Sequence, residues 1–202
     1  MKLFYSPGAC SLAPHIVLHE SGLAFEGVLA STKTHQLADG SDYYAVNPLG
    51  YVPFLVLADG RTLREGQVIS QYIADQVPAS GLAPAAGTWE RYKLQEWLSF
   101  ISSELHKGVS PLFNPATPED YKPLVKERLL QRLTWLDGEL AGKDYLLGST
   151  FTVADAYLFT VTNWAGFVKL DIAALVNLAA VRARIAARPA VQAAMKAEGL
   201  IK

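Results

Sequence analysis

The chain has 202 residues, half of them apolar, and its 18 basic and 19 acidic residues give a formal net charge of −1. This length supports a sizeable core without disulfides, and the even spread of Lys and Arg argues against a nucleic-acid partner. The single cysteine excludes an internal disulfide, the four histidines show no metal-ligand spacing, and no membrane-length apolar run or signal peptide is found, so we expect a cytoplasmic protein without a metal.

The first 78 residues predict a small mixed sheet with helices packed on it. Strands are predicted at 2–5, 25–29, 54–57 and 61–63, and helices at 12–21 and 67–75. Asp59-Gly60 lies between the last two strands and is a strong hairpin signal. The order β-α-β followed by β-β-α predicts an α/β domain.

Breaking residues and then helical patterns fill the rest of the chain. Pro78, Gly81 and Pro84 mark a linker at 79–87, and an all-helical domain is expected at 88–202. The predicted helices lie at 88–109, 117–140, 152–168, 172–178 and 181–187, with a last helix beginning at Arg188-Pro189. Thr152 and Asp155 can cap the helix at 152 reciprocally, which favours a structural role for this pair.

The only cysteine, Cys10, lies where the first strand turns into the first helix. Pro7 and Gly8 mark the turn, and Ser11 is a plausible N-cap. A lone cysteine is more often a small buried apolar residue. The free N–H groups and the dipole at a helix N-terminus nevertheless favour an anion, so the position predicts a lowered pKa and a reactive thiol.

One face of the predicted helix at 88–109 is small and polar. Its core stripe consists of Leu94, Leu98, Ile101 and Leu105. At 100° per residue, Ser99, Ser103 and His106 fall on the opposite face. A His-Lys pair such as His106-Lys107 usually belongs to a solvated face, so the pattern alone does not make it a site.

Five motifs in order give the chain a family resemblance. They are Ser6-Pro7-Gly8-Ala9-Cys10-Ser11, Asn47-Pro48 with Val52-Pro53, Leu63-Arg64-Glu65-Gly66, Ser103-Glu104-Leu105-His106-Lys107, and the segment from Phe151 to Phe159. With these motifs the chain resembles the cytosolic glutathione transferases, and within them the bacterial beta class, over essentially its whole length. The resemblance implies a thioredoxin-like glutathione-binding domain at 1–78, a helical domain at 88–202 that contributes to an electrophile site, glutathione as co-substrate, and a homodimer.

The resemblance also implies roles for individual residues. The implied catalytic residues are Cys10, Ser11 and His106. The implied glutathione-binding residues are Tyr5, Cys10, His35, Val52, Pro53, Glu65, Gly66, Ser99, Ser103, Glu104, His106 and Lys107, with Pro53 in the cis form and Glu104 reaching the site from a second subunit. The implied electrophile site consists of Phe113, Trp164 and Phe167. From the residues alone, a glutamate in the position of Glu65 more often serves the helix dipole, and aromatic side chains such as these three more often belong to a core than to a pocket.

Three functions follow from these observations as alternatives. The resemblance implies an enzyme that conjugates the glutathione thiolate to small, hydrophobic electrophiles. A thiol at Cys10 also permits a glutathione-dependent thiol-disulfide or peroxide reductase that works through a mixed disulfide. The third alternative is a non-catalytic protein that binds apolar ligands, which the intact set of Cys10, Glu65-Gly66 and His106 disfavours. No sequence pattern specifies the physiological electrophile.

Overall fold

The four-stranded sheet comes entirely from the first third of the chain. The computed structural model describes all 202 residues. The strands are β1 (Lys2–Tyr5), β2 (Glu26–Leu29), β3 (Phe54–Val56) and β4 (Thr62–Leu63). Their order in the sheet is β2-β1-β3-β4, with β2 parallel to β1 and the other pairs antiparallel. The predicted mixed sheet and its hairpin are confirmed.

The two faces of the sheet carry different apolar clusters because successive strand residues point in opposite directions. Leu3 and Leu55 are paired across β1 and β3 and are fully buried in the main core. Phe4 and Phe54, their neighbours, pack with Val52 in a smaller cluster. This second cluster supports the segment that leads from the loop after β2 into β3.

Helices make up most of the remaining chain. They are α1 (Leu12–Ser21), α2 (Gly66–Gln76), α3 (Trp89–Phe100), α4 (Lys107–Phe113), α5 (Tyr121–Glu139), α6 (Val153–Thr162), α7 (Val176–Ala186) and α8 (Pro189–Ala197). Short 3-10 turns occur at Tyr43–Ala45, Pro78–Ser80 and Asn163–Ala165. None of these helices has the combination of length and apolar character that crossing a bilayer requires.

A single main core joins the sheet region to the helical region. Its 40 buried residues include Leu3 and Ile16 from the first part of the chain and Leu98 and Leu158 from the second. Helix α1 packs against α6 and α8, and α2 packs against α6. Groups on α1 and α2 are therefore held at defined positions relative to groups on the later helices.

Three predictions of helix boundaries are wrong. The helix predicted at 152–168 is α6, which ends at Thr162 and is followed by the 3-10 turn at Asn163–Ala165. The other two errors have a physical reason. Helix α5 begins at Tyr121 instead of Thr117, which places Pro123 in the first turn, where its missing N–H costs no helical hydrogen bond. The two helices predicted at 172–178 and 181–187 are one helix, α7, since neither Gly nor Pro interrupts the sequence between them.

The long helix predicted at 88–109 contains a π-helical segment. This segment spans Ile101–His106 and separates α3 from α4, with the Lys107 N–H donating to the Ser102 carbonyl. All four residues of the predicted core stripe are buried. Leu94 and Leu98 precede the π segment, and Ile101 and Leu105 lie within it. A π turn contains one residue more than an α turn. The side chains around His106 therefore point in other directions than a regular α-helix predicts.

Candidate active site

A cleft of about 320 Å³ lies between the sheet region and the helical region. Among its lining residues are Cys10, Val52, Pro53, Arg64, Glu65, Gly66 and Gln67 from the first part of the chain, and Ser102, His106, Lys107 and Tyr157 from the second. Together with Tyr51, these residues give the cleft a thiol, an imidazole, two phenols, a carboxylate and two cations.

The turn before Cys10 is held from inside the protein. The fully buried Ser11 hydroxyl accepts a hydrogen bond from the Ser6 N–H (3.1 Å) and donates to the Ser6 carbonyl (3.3 Å). Ser11 occupies the N-cap position of α1, but its side chain makes no capping hydrogen bond. The Ser11 hydroxyl is used within the turn and does not line the cleft, and its role as a catalytic donor stays a prediction.

The later helices also hold this turn, through the peptide groups of Gly8. The Gly8 N–H donates to Glu198 Oε2 at 2.9 Å, and its carbonyl accepts from Trp164 Nε1 at 2.8 Å. Gly8 has φ = +69°, a conformation that favours glycine. Contacts more than 150 residues away in sequence thus place the thiol.

The Cys10 thiol is a hydrogen-bond donor in this structure. Its Sγ donates to the Val52 carbonyl at 3.2 Å. Burial is the main reason that the pKa of the Cys10 thiol is raised to about 11, and the charge of Glu65 acts in the same direction. The backbone N–H groups of Cys10 and Ser11 and the charge of Lys107 oppose this rise. The prediction of a lowered pKa is therefore wrong, because the loss of solvation outweighs the effect of the helix N-terminus.

Helix α2 begins at the cleft with free backbone N–H groups. The Glu65 carbonyl accepts from the N–H groups of Val68 and Ile69, whereas the N–H groups of Gly66 and Gln67 have no partner in the chain. Glu65 has φ = +65°, and its exposed side chain lines the cleft. Such a helix start combines donors for a carboxylate with a nearby negative group for an ammonium.

The peptide bond between Val52 and Pro53 is cis, as the resemblance implies. Both residues line the cleft. The Val52 carbonyl accepts a hydrogen bond from the Cys10 thiol, whereas the Val52 N–H donates to no group of the chain. Val52 thus offers a backbone donor beside the thiol.

His106 is held by aromatic neighbours on the helical side of the cleft. Its Nδ1 lies 2.7 Å from Tyr157 Oη, and its ring centroid lies 4.9 Å from that of Trp164. Burial, followed by the charge of Lys107, lowers the pKa of His106 to about 4. Because its pKa is so low, His106 is a neutral imidazole at pH 7.

The stability of the protein should reflect this neutral His106. A folded-state pKa of about 4 against an ordinary value near 6.5 means that the unfolded chain binds an extra proton between these pH values. The contribution of His106 to stability is therefore complete above pH 6.5 and is lost as pH falls toward 4. We expect the free energy of unfolding, measured in urea, to decrease less between pH 7 and pH 5 in His106→Asn than in the wild type. Equal decreases in the two proteins would contradict this prediction.

Two predicted glutathione-binding residues from the first part of the chain lie outside the cleft. The Tyr5 ring packs against His15, with the centroids 5.0 Å apart. His35 packs against Tyr44, with the centroids 4.5 Å apart, and its buried Nδ1 has no hydrogen-bond partner. In both cases the side chain contacts the body of the domain and does not line the cleft.

Three predicted residues of the helical side are turned away within this chain. Ser99 and Ser103 are exposed, and the Ser103 hydroxyl donates to the Ser99 carbonyl. Glu104 forms ion pairs with Arg132 (2.7 Å) and Arg128 (3.6 Å). Because of the π segment, Ser102 lines the cleft beside His106 instead of Ser99 and Ser103.

The predicted electrophile site is brought together only in part. Phe113 is half exposed and packs edge-on against Trp164, with the centroids 5.9 Å apart, so an aromatic wall extends from His106 through Trp164 to Phe113. Phe167 is 77% exposed and pairs with neither ring. The wall can hold an apolar group beside the cleft without Phe167.

Among the cleft residues that sequence reasoning missed are Tyr51, Arg64, Gln67, Ser102 and Tyr157. Arg64 is placed by a hydrogen bond from its Nε to Asn47 Oδ1 (3.2 Å), a contact that has no pattern in the sequence. A signal was available for Tyr157, since a tyrosine inside an almost wholly apolar helix needs a partner for its hydroxyl.

The fold and the site together define a class of protein: a thioredoxin-like sheet followed by a helical region, with a cleft between them that contains a thiol. The family model described as "Glutathione S-transferase, N-terminal domain" matches residues 8–76, and the model described as "Glutathione S-transferase, C-terminal domain" matches residues 100–189. The chain belongs to the glutathione S-transferase family.

Curated relatives match over the full length. "Glutathione S-transferase GstA" of Escherichia coli O157:H7 is 51% identical over 200 residues, which cover 99% of this chain and 100% of the relative. "Glutathione S-transferase GST-4.5" of Xanthomonas campestris pv. campestris is 38% identical over 207 residues, covering 99% of this chain and 100% of the relative.

Solved structures of bacterial transferases match equally well. The bacterial transferase BphK, solved as a ternary complex, is 54% identical with a TM-score of 0.96 and covers 98% of this chain and 100% of its own. A sphingomonad glutathione S-transferase complexed with glutathione is 51% identical with a TM-score of 0.95, and coverage is 100% of both chains. A beta-class enzyme from Sphingomonas chungbukensis is 49% identical with the same TM-score, again covering 100% of both chains. The beta-class resemblance is confirmed.

Proposed function

We propose that this protein conjugates the glutathione thiolate to small, apolar electrophiles. The observation that carries the proposal is the convergence, in one cleft, of the Cys10 thiol, the free N–H groups at the start of α2, and the neutral His106. Family membership and the glutathione complex of a relative 51% identical to this chain support glutathione as the co-substrate. We further propose that residues 1–78 bind glutathione, that 79–87 form the linker, and that residues 88–202 contribute the electrophile site.

Glutathione has groups that complement the cleft. Its γ-glutamyl carboxylate would accept from the N–H groups of Gly66 and Gln67, with the adjacent ammonium beside Glu65. Its cysteinyl backbone would accept from the free Val52 N–H, which brings the sulfur close to Cys10. The second carboxylate would meet Lys107 or Arg64, the two cations of the cleft.

The chemical step is a nucleophilic displacement. The glutathione thiolate forms a carbon–sulfur bond with the electrophile, and the leaving group, such as chloride from a halogenated aromatic, departs with its electron pair. The aromatic wall of Trp164 and Phe113 would hold the electrophile beside the sulfur. Lys107 favours the anionic sulfur, and His106 supplies a neutral ring nitrogen beside it.

Calorimetric titration with reduced glutathione, followed by turnover of 1-chloro-2,4-dinitrobenzene, tests the proposal. We expect saturable binding at micromolar to low millimolar concentrations and glutathione-dependent product formation. An absence of heat on titration would overturn the proposal, and the protein would then be tested as a binder of apolar ligands. Binding without turnover of any halogenated aromatic would restrict the function to glutathione binding.

The pKa of Cys10 favours conjugation over redox chemistry. At a pKa of about 11 the thiol is almost wholly protonated at pH 7, so it is a weak nucleophile and a good donor. We expect Cys10→Ser, which keeps a donor for the Val52 carbonyl, to retain conjugation within about tenfold, whereas Cys10→Ala loses more. Rates with 1-chloro-2,4-dinitrobenzene and with bis(2-hydroxyethyl) disulfide measure the two chemistries. A loss of both activities in Cys10→Ser would contradict this expectation and favour a mixed disulfide.

The homodimer and the cytoplasmic location remain part of the proposal. Trp89 at the start of α3 is 72% exposed, as suits a surface covered by a second subunit. In a dimer, Ser103 and Glu104 would be available to the partner's cleft. Sedimentation at twice the chain mass of 22.0 kDa would support the dimer, and a monomer at millimolar glutathione would contradict it.

A further inference from the structure

The cleft contains a buried pair of side chains, His106 and Tyr157, that the proposed chemistry uses only in part. Tyr157 belongs to α6 and is 5% exposed, but it lines the cleft together with Cys10 and His106. Its Oη lies 2.7 Å from His106 Nδ1, and the two rings meet edge to face with their centroids 5.9 Å apart. The hydroxyl is therefore directed at one particular ring nitrogen.

The imidazole of His106 is held in one orientation. Trp164 packs against it with a centroid distance of 4.9 Å, and Trp164 is itself tied to the Gly8 carbonyl by a 2.8 Å hydrogen bond. Nδ1 is committed to Tyr157, while Nε2 has no hydrogen-bond partner in the chain. Nε2 is consequently the ring nitrogen that remains for a bound ligand.

The hydrogen bond permits two arrangements of protons. Either Tyr157 donates to Nδ1 and the ring carries its proton on Nε2, or Nδ1 donates to Tyr157 and Nε2 is a bare acceptor. Burial raises the pKa of Tyr157, so the phenol keeps its proton, and the low pKa of His106 leaves one proton on the ring. His106 Nδ1 is the only hydrogen-bond partner of the Tyr157 hydroxyl in the chain, so in the second arrangement the proton of this buried hydroxyl would have no acceptor. The phenol proton is then directed to Nδ1.

We propose that Tyr157 is a positioning residue that donates to Nδ1 of His106 and holds the imidazole in the Nε2–H tautomer, so that Nε2–H donates to the sulfur of bound glutathione. The inference rests on the proposed function only in its last step. Apart from the pair itself, the charged or titratable groups that share the cleft are Cys10, Tyr51, Arg64, Glu65 and Lys107, and none of them hydrogen-bonds a ring nitrogen of His106. Tyr157 is thus the one side chain that sets the tautomer.

Nitrogen NMR of the protein labelled with ¹⁵N-histidine reads the tautomer directly. The spectrum is recorded on the full-length protein without and with reduced glutathione, and the His106 signals are assigned by their loss in His106→Asn. In the wild type we expect protonated Nε2 and unprotonated Nδ1. In Tyr157→Phe, which keeps the ring but not the donor, we expect a mixture of tautomers. The spectrum without glutathione tests the inference even if glutathione fails to bind.

Kinetics test whether the tautomer matters for the reaction. We expect Tyr157→Phe to lower kcat for 1-chloro-2,4-dinitrobenzene roughly 5- to 30-fold, the factor that corresponds to one hydrogen bond. KM for glutathione should change less than kcat, because the phenol acts through His106 and not on the tripeptide. In the His106→Asn background the same substitution should have almost no further effect.

Tyr145→Phe is the matched control. Tyr145 is also buried in the helical region, and its hydroxyl accepts a hydrogen bond from Arg188 (3.3 Å) outside the cleft. This variant should leave the His106 signals and kcat unchanged. A wild-type spectrum with protonated Nδ1 would overturn the proposal, as would an unchanged tautomer or an unchanged kcat in Tyr157→Phe.

Discussion

Replacing Asp155 with alanine is expected to lower the free energy of unfolding by about 3–5 kcal/mol. The fully buried carboxylate accepts the Leu146 N–H on Oδ1 (2.8 Å) and both the Thr152 N–H (2.8 Å) and the Thr152 hydroxyl (2.9 Å) on Oδ2. Alanine would leave three donors without a partner, two on Thr152 at the start of α6 and one on Leu146. Urea unfolding at pH 7 followed by circular dichroism measures the loss.

The exposed Asp171 supplies a matched control for this substitution. It accepts one backbone N–H, from Ala173, at 2.9 Å. Asp171→Ala should change stability by no more than about 0.5–1 kcal/mol, because water replaces the lost partner. Asp155→Asn keeps one acceptor oxygen and should fall between the wild type and Asp155→Ala. If Asp155→Ala and Asp171→Ala lowered the free energy of unfolding by the same amount, the hydrogen bonds to the buried Asp155 carboxylate would not be the source of the stability.

Glu65→Ala is expected to weaken glutathione binding by about 10- to 100-fold, the range for losing a hydrogen bond to a charged group. Glu65 is the one carboxylate that lines the cleft, and it stands beside the free N–H groups of Gly66 and Gln67. Removing it would leave the γ-glutamyl ammonium without a negative partner. Calorimetric titration with reduced glutathione measures the change in Kd.

A second carboxylate at a helix start separates binding from the effect of the helix dipole. Glu90 lies in the first turn of α3, is exposed and does not line the cleft. Glu90→Ala should cost a similar small amount of stability to Glu65→Ala but should leave the Kd for glutathione unchanged. Equal Kd values for the wild type, Glu65→Ala and Glu90→Ala would mean that Glu65 interacts only with the helix dipole.

Much of the fold could be predicted because apolar residues recur at the period of the element that buries them. The stripe from Leu94 to Leu105 correctly marks the face of its helix that enters the core. Local chemistry placed Cys10 just before α1 and Glu65-Gly66 at the start of α2. It also made Asp155 a structural residue, which the three hydrogen bonds to its carboxylate support.

Other features depend on partners that are remote in sequence. The π segment changed which serine accompanies His106, and no local pattern announced it. Ser11, Tyr5 and His35 were assigned to the cleft by resemblance, yet Ser6, His15 and Tyr44 hold them elsewhere. The position of Tyr157 in the cleft depends on how α6 packs beside His106, which no local sequence pattern predicts.

The sequence by itself determined the order of elements, the faces they bury, the position of the lone thiol at a helix start, and the family. Tertiary structure alone decided how that thiol and the imidazole behave, because a pKa depends on how much solvent the fold removes and on which charges it brings near. Cys10 and His106 are 96 residues apart in the chain and acquire raised and lowered pKa values, respectively, only when the helical region closes over the first helix. Periodicity shows which side of an element is buried, whereas the chemistry of a site depends on what is buried against it.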